Sequence, residues 1–131
     1  MGDEEDMLAA VKGNDAAKVR ELLAQDPNLI LTKTPDGSLL LTAAFHGARE
    51  VMRAILPRFP QMNIHEASSV GDAQRLQRIL EEDPALVNAP HQQGFSPLGL
   101  AAFFGHPAAV QVLLARGAEV VVVTPYHRSA Q

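Results

Sequence analysis

The 131-residue chain has no cysteine and no tryptophan, a single tyrosine and five phenylalanines. Without thiols there can be no disulfide and no thiolate metal site, so the fold must rest on buried apolar surface alone. Aromatic residues make up 5% of the sequence, while apolar residues as a whole make up 47%. Alanine and leucine carry most of that difference, which favours closely packed short helices over a β-sandwich. Basic residues are also in the minority, with 11 Lys and Arg against 15 Asp and Glu and a formal net charge of −4. That balance speaks against nucleic acid and anionic membrane surfaces as partners. No apolar run reaches the ~20 residues of a membrane-spanning helix. The opening Met1-Gly2-Asp3-Glu4-Glu5-Asp6 lacks the basic-then-apolar order of a signal peptide. Asp6 stands where a myristoylation signal has Ser or Thr. The expected compartment is the cytoplasm, and one domain is expected over 1–131.

Signals for chemistry are as scarce. There is no glycine-rich phosphate loop, no G-x-S-x-G and no cysteine nucleophile. His46, His65, His91, His106 and His127 have no second ligand at a metal-binding spacing; His65 and Glu66, being adjacent, diverge on a helix. No catalytic residue, cofactor or metal is expected, and the chain is expected not to be an enzyme.

What is there is a pattern, clearest over 93–120. Ser96-Pro97 starts a helix with a good cap followed by a proline suited to the first helical position. Leu98, Leu100, Ala101 and Ala102 give it a narrow apolar face. Gly105 ends it, because a left-handed residue costs glycine little. A second helix follows from about Pro107, with Val110, Leu113 and Leu114 at i, i+3 and i+4 on one face. Such a pair of short helices has too little apolar surface to fold alone and must stack on copies of itself. Copies are present. Ala10, Asn14, Val19, Leu22 and Leu23 repeat the pattern in the first segment, with Asn14 in the left-handed place and Asp15 as a helix cap. Ala43, Ala44, Gly47, Met52, Ile55 and Leu56 repeat it in the second, where Pro57 breaks the helix. Ala67, Gly71, Leu76, Ile79 and Leu80 repeat it in the third.

The residues Gly94-Phe95-Ser96-Pro97-Leu98, Ala101-Ala102, Gly105-His106, Val110, Leu113-Leu114 and Gly117-Ala118 resemble the ankyrin repeat motif at many fixed offsets. The departures are Ser for Thr at 96 and Gly for His at 99. The resemblance implies an all-α fold: a solenoid of four helix-turn-helix hairpins with short β-turn fingers, in repeats of about 4–35, 36–61, 62–90 and 91–123. Residues 124–131 would be the start of a truncated fifth repeat or a tail. TPR and HEAT arrays are the rival architectures, and both lack the projecting finger that Gly-x-Ser-Pro-Leu suggests. His65 and His127 take the place of the motif's histidine, so His65 is expected to bond to the backbone of a neighbouring repeat. His106, after the turn glycine, is expected to be structural as well.

The spacing is uneven. Asn14 to Gly47 is 33 residues and Gly71 to Gly105 is 34, but Gly47 to Gly71 is 24, so the connection after the second copy lacks about nine residues of the usual period. A direct link stiffened by Pro57 and Pro60 is expected there. The connections from Asp26-Pro27 to Gly37 and from Asp83-Pro84 to Gly94 are full length and are expected to project as fingers, with Leu29 and Leu86 tucked under the second helices. Val120 to Val123 form a β-prone, uncharged run near an open end.

The function that this resemblance implies is a non-catalytic protein-interaction module gripping an unknown protein partner on its concave face and finger tips. Carried over by position, the face comprises Lys12, Phe45, His46, Ser69, Val70, Phe103 and Phe104, and the fourth finger adds His91, Gln92, Gln93 and Phe95. Aromatic anchors in a polar rim are what interaction hot spots look like. Phe95 and Phe104, each beside a turn glycine, are expected to be exposed. Phe45 and Phe103 fit packing and binding equally. The alternative reading is a structural unit, monomeric or weakly self-associating through an uncapped C-terminal repeat.

Overall fold

A computed structural model describes residues 2–59 and 61–120. Among them are eight α-helices: α1 Asp3–Lys12, α2 Ala16–Gln25, α3 Leu39–Phe45, α4 Arg49–Ile55, α5 Ile64–Val70, α6 Ala73–Glu82, α7 Pro97–Phe103 and α8 Pro107–Ala115. No described residue lies in a β-strand. Consecutive helices pair as four hairpins. The odd-numbered helices stack on one another as an inner layer, α1 on α3, α3 on α5 and α5 on α7. In the outer layer α2 packs on α4 and α6 on α8, but α4 and α6 form no comparable pair.

The hairpins form where the residues require them. Asn14, Gly47, Gly71 and Gly105, one per hairpin turn, have φ of 57°, 63°, 81° and 74°. This is the left-handed region, which Gly enters freely and Asn more readily than most residues. The Asp15 carboxylate accepts the Lys18 N–H at 3.1 Å and so caps α2. Ser96 does the same for α7 through the Gly99 N–H at 2.9 Å. Asn63 and Glu66 form a reciprocal capping box on α5. Helix α4 has no side-chain cap of its own. Its Val51 N–H donates instead to Asn14 Oδ1 of the preceding hairpin at 3.0 Å, so the turn of one unit caps a helix of the next.

The core runs continuously through the stack. Val19, Leu23, Leu40, Val51, Ile55, Leu76, Leu80, Leu100 and Leu113 are fully or almost fully buried; truncating any of the leucines to alanine would cost about 2–5 kcal/mol. Leu114 departs from the expected pattern. It is 45% exposed, while its counterparts Leu23 and Leu80 are buried because α4 and α8 follow them. Among the described residues no helix follows α8. Ala102 is likewise exposed rather than on the packed face of α7. Of the two near-copies after α2 and α6, Leu29 is buried as expected, whereas Leu86 is half-buried and Val87 takes the inward place.

The three connections differ. α2 and α6 each leave through a 3₁₀ turn, Pro27–Leu31 and Pro84–Asn88, before reaching the tight turns at 34–37 and 91–94. α4 runs through one short 3₁₀ turn, Leu56–Arg58, and on to α5 with no tight turn of that kind among the described residues. Pro57 sits in that direct link. Pro60, the valines from Val121 onward, His127 and the expected start of a fifth repeat lie outside the described residues.

Candidate interaction surface

Among the described residues the third hairpin has no finger, and the fingers on either side of it meet across the gap. Thr34-Pro35-Asp36-Gly37 closes with the Gly37 N–H donating to Thr34 O at 2.9 Å. Proline second and glycine last suit a type I turn. Thr42 of α3 braces it, its hydroxyl lying 2.8 Å from Thr34 Oγ1 and 3.0 Å from Asp36 Oδ2. The opposing turn, 91–94, closes with the Gly94 N–H donating to His91 O at 2.7 Å. His91 Nε2–H donates to Asp36 O at 2.6 Å. The Gln92 side-chain amide donates to Pro35 O. The Gln93 amide lies 3.0 Å from both Pro35 O and Asp36 Oδ1. Because His91 Nδ1 accepts the Gln93 N–H at 3.1 Å, the ring carries its proton on Nε2, the atom that faces Asp36.

Below this clasp the rings of the second and fourth hairpins close over α5. Phe45 lies 5.2 Å from Phe104, 5.8 Å from Phe95 and 6.2 Å from Phe103, centroid to centroid. Phe103 and Phe104 stand edge to face at 4.9 Å. Such contacts each stabilise by about 0.5–1.5 kcal/mol beyond area burial. Small residues make the closure possible, since Ala67, Ser68 and Ser69 of α5 are all buried.

His65 of α5 links the unfingered hairpin to the clasp. Its Nε2–H donates to Ala89 O at 2.7 Å, a backbone bond as expected but to the end of its own repeat (62–90) rather than to a neighbouring one, and its ring lies 5.5 Å from that of His91. Burial pushes the His65 imidazole below its ordinary value of 6.5; the His91 ring acts in the same direction, and the Ala89 carbonyl and the Glu66 carboxylate act against it. His106 also has the structural role expected of it, donating from Nε2 to Ser69 O at 2.9 Å.

The sequence-derived surface residues therefore differ in their surroundings. Phe45, Phe95, Phe103, Phe104 and His91 come together in one cluster. Of these only Phe103 is well exposed, at 63%, while Phe45, Phe95 and Phe104 are half-buried. The expectation that Phe95 and Phe104 are the exposed rings is thus corrected, because each is covered by Phe45 from across α5. Gln92 and Gln93 are exposed but hydrogen-bonded to the second finger. His91 and Ser69, expected on the surface, are buried at 6% and 3%; the one is held in the clasp and the other lies beneath the fourth hairpin's His106. Val70 is half-buried, and Lys12 and His46 are exposed, with His46 Nδ1–H donating to Thr42 O at 3.0 Å. Pro35 and Asp36 join the clasp without having been singled out. The 24-residue interval is the signal that could have found them, since a missing finger makes its two neighbours adjacent.

Comparison with known proteins agrees with this architecture. A family model of ankyrin repeats in three copies matches residues 7–124. The DNA-binding protein RFXANK of Homo sapiens is 33% identical over 69 residues, which is 53% of this chain and 26% of that protein. The NAD-capped RNA hydrolases NUDT12 of Homo sapiens and Macaca fascicularis are 35% identical over 66 residues, 50% of this chain and 14% of theirs. The match thus spans about a quarter of the first relative and about a seventh of the others. Helical hairpins stacked with left-handed turns, and a family model that covers most of the sequence, give one conclusion: the chain belongs to the ankyrin repeat family.

Proposed function

We propose that this chain is a non-catalytic binding module whose partner protein docks on the inner face, with Phe103 as the central anchor and the clasp at 35–36 and 91–93 as its polar rim. Ankyrin repeats generally mediate protein–protein interaction, and the family is typically non-catalytic. The observation that carries the reading is Phe103 itself. It is 63% exposed, yet held edge-on by Phe104 and flanked by Phe45 and Phe95. An exposed ring already fixed in place loses little conformational entropy on binding, which is what an anchor needs. Gln92, Gln93 and His46 would supply adaptable polar contacts around it.

The test is site-specific photocrosslinking in the source cell. A photoreactive side chain at Gln92 is expected to yield a discrete adduct, and Phe103→Ala to remove it while the circular dichroism stays unchanged. The same adduct from a photoreactive group at Gln111, an exposed position on α8, or its survival in Phe103→Ala, would refute the assignment of this face.

A second reading rests on a different residue. Leu114 is 45% exposed where Leu80 is fully buried, so the outer side of α8 could pair two copies. Light scattering at roughly 100 μM, where mass action favours pairing, is expected to show dimers that Leu114→Glu abolishes; a strict monomer there removes this reading.

A further inference from the structure

The shortened link that lets the fingers meet has the opposite effect on the outer layer. α4 and α6 do not pair as α2–α4 and α6–α8 do, and a groove of about 470 Å³ lies beside α4, walled on its far side by the end of α5 and by Phe104 and His106. That volume is within the range of sites that enclose a side chain or a small ligand. Met52, Leu56, Val70 and a face of Phe104 give it an apolar floor. Arg49 and Arg53 line it, and no Asp or Glu does. These arginines stand four residues apart on α4, side by side, an arrangement that costs a helix a few tenths of a kcal/mol. Internal pairing relieves little of this: Arg53 reaches Glu50 at 3.7 Å with both side chains largely in solvent, where such pairs hold weakly. Two like charges on an apolar groove are unusual in a chain whose formal charge is −4, and folding does not account for them.

We propose that this groove docks an acidic peptide segment bearing one aliphatic or methionine anchor. The anchor fills the floor between Met52, Leu56 and Val70. Flanking carboxylates engage the Arg49 and Arg53 guanidinium groups, whose planar forks match a carboxylate in two-point contact. The site is separate from the Phe103 anchor on the inner face and does not depend on it; the two share only Phe104, which the variants below leave untouched.

The experiment uses the full chain and a fluorescein-labelled peptide of about twelve residues, rich in glutamate with a central leucine, followed by anisotropy and by backbone amide NMR shifts. Saturable binding is expected, with shifts at Arg49, Met52 and Val70. Arg49→Glu with Arg53→Glu should weaken it roughly tenfold or more, and raised salt should weaken it in wild type, because exposed charge attraction is screened. Arg53→Glu alone, at a solvent-facing position, serves if the double variant is misfolded by circular dichroism, and should show a smaller loss in the same direction. Phe103→Ala should bind as wild type does, which separates this site from the inner-face reading. The proposal is overturned if a glutamate-only peptide without leucine binds as tightly, if a lysine-for-glutamate peptide binds as tightly, or if the charge reversals leave affinity unchanged. It is also overturned if the shifts cluster at Gln92 and Phe103, or if Arg49→Glu with Arg53→Glu instead abolishes a concentration-dependent dimer, which would give the groove to a second copy.

Discussion

The inner and outer layers of this stack respond in opposite ways to one missing connection. On the inner side the absence of a third finger brings Pro35 and Asp36 within hydrogen-bonding distance of His91, Gln92 and Gln93, and rings from two hairpins close over α5. On the outer side, α4 and α6 do not pair as their neighbours do, and a groove lies beside α4. A repeat array is often treated as a sum of like units with like interfaces. Here one interface is sealed on one face and open on the other, and the two glycines at the hairpin turns next to it report on that difference.

Gly71 sits at the tight contact between the third and fourth hairpins. Its φ is +81°, and a Cβ there would come within 2.6 Å of His106 Cγ and Nδ1. Gly71→Ala therefore combines left-handed strain with displacement of a ring that donates to Ser69 O. The expected loss is about 2–4 kcal/mol in urea unfolding. Gly47 lines the groove, has φ of +63°, and a Cβ there meets nothing within 4 Å. Gly47→Ala should cost only the backbone strain, about 1 kcal/mol. Equal losses for the two variants would show that this contact and the groove do not differ in tightness.

The clasp is tested by His91→Ala. The ring is buried, donates to Asp36 O and accepts from the Gln93 N–H. Its removal leaves a part-buried carbonyl and the Gln93 N–H without these partners and should cost about 1–3 kcal/mol. The effect should be confined to the inner face, so that binding of the acidic peptide to the folded variant is unchanged. A loss below about 0.5 kcal/mol would mean that the two fingers gain little by touching.

Acidification sharpens the same contrast through His65. Burial holds its folded-state value below the ordinary 6.5, so over the interval between the two values the unfolded chain binds more protons than the folded one. Stability then rises with pH across that interval: it is complete above about 6.5 and is lost as pH falls towards the folded value. The urea midpoint of wild type is expected to drop between about pH 7.5 and about pH 5.5. His65→Gln, whose amide can still donate to Ala89 O, should drop less. An identical drop in both would assign the pH dependence to other groups.

The hairpins and their turns were legible in the sequence because they depend on local chemistry. Asn14, Gly47, Gly71 and Gly105 read as left-handed sites and are so; Asp15 and Ser96 read as caps and are so. His65 and His106 read as structural and each bonds to backbone, His65 to Ala89 at the end of its own repeat and His106 to Ser69 of the preceding hairpin. What was not legible depends on residues far apart in sequence. Phe95 and Phe104 read as exposed because each adjoins a turn glycine, but Phe45, about fifty residues earlier, covers both. His91 read as a finger-tip contact because its acceptor, Asp36 O, is 55 residues away. Leu114 read as core because its periodicity matches that of Leu80, and periodicity carries no information on whether a next unit covers it.

The smallest expected effect concerns the helix that both neighbours cover. Ser68 of α5 is fully buried, and its hydroxyl has no partner among the described residues. In the unfolded chain that hydroxyl is hydrated; in the folded one it gives up water and gains nothing, a loss of about 1–3 kcal/mol that packing of its neighbours must offset. Ser68→Ala removes the unpaired group and leaves a void of a single oxygen atom, too small to cost more than a fraction of that. Stability should therefore rise, by up to about 1 kcal/mol, with no change at the groove or at Phe103. Ser69→Ala supplies the complementary measurement. It should stabilise to a similar extent and leave the acidic peptide bound as in wild type, because its hydroxyl is buried as that of Ser68 is. If both variants lose stability, each hydroxyl is bonded in solution, and the inner layer over α5 is less tightly closed than the aromatic contacts imply.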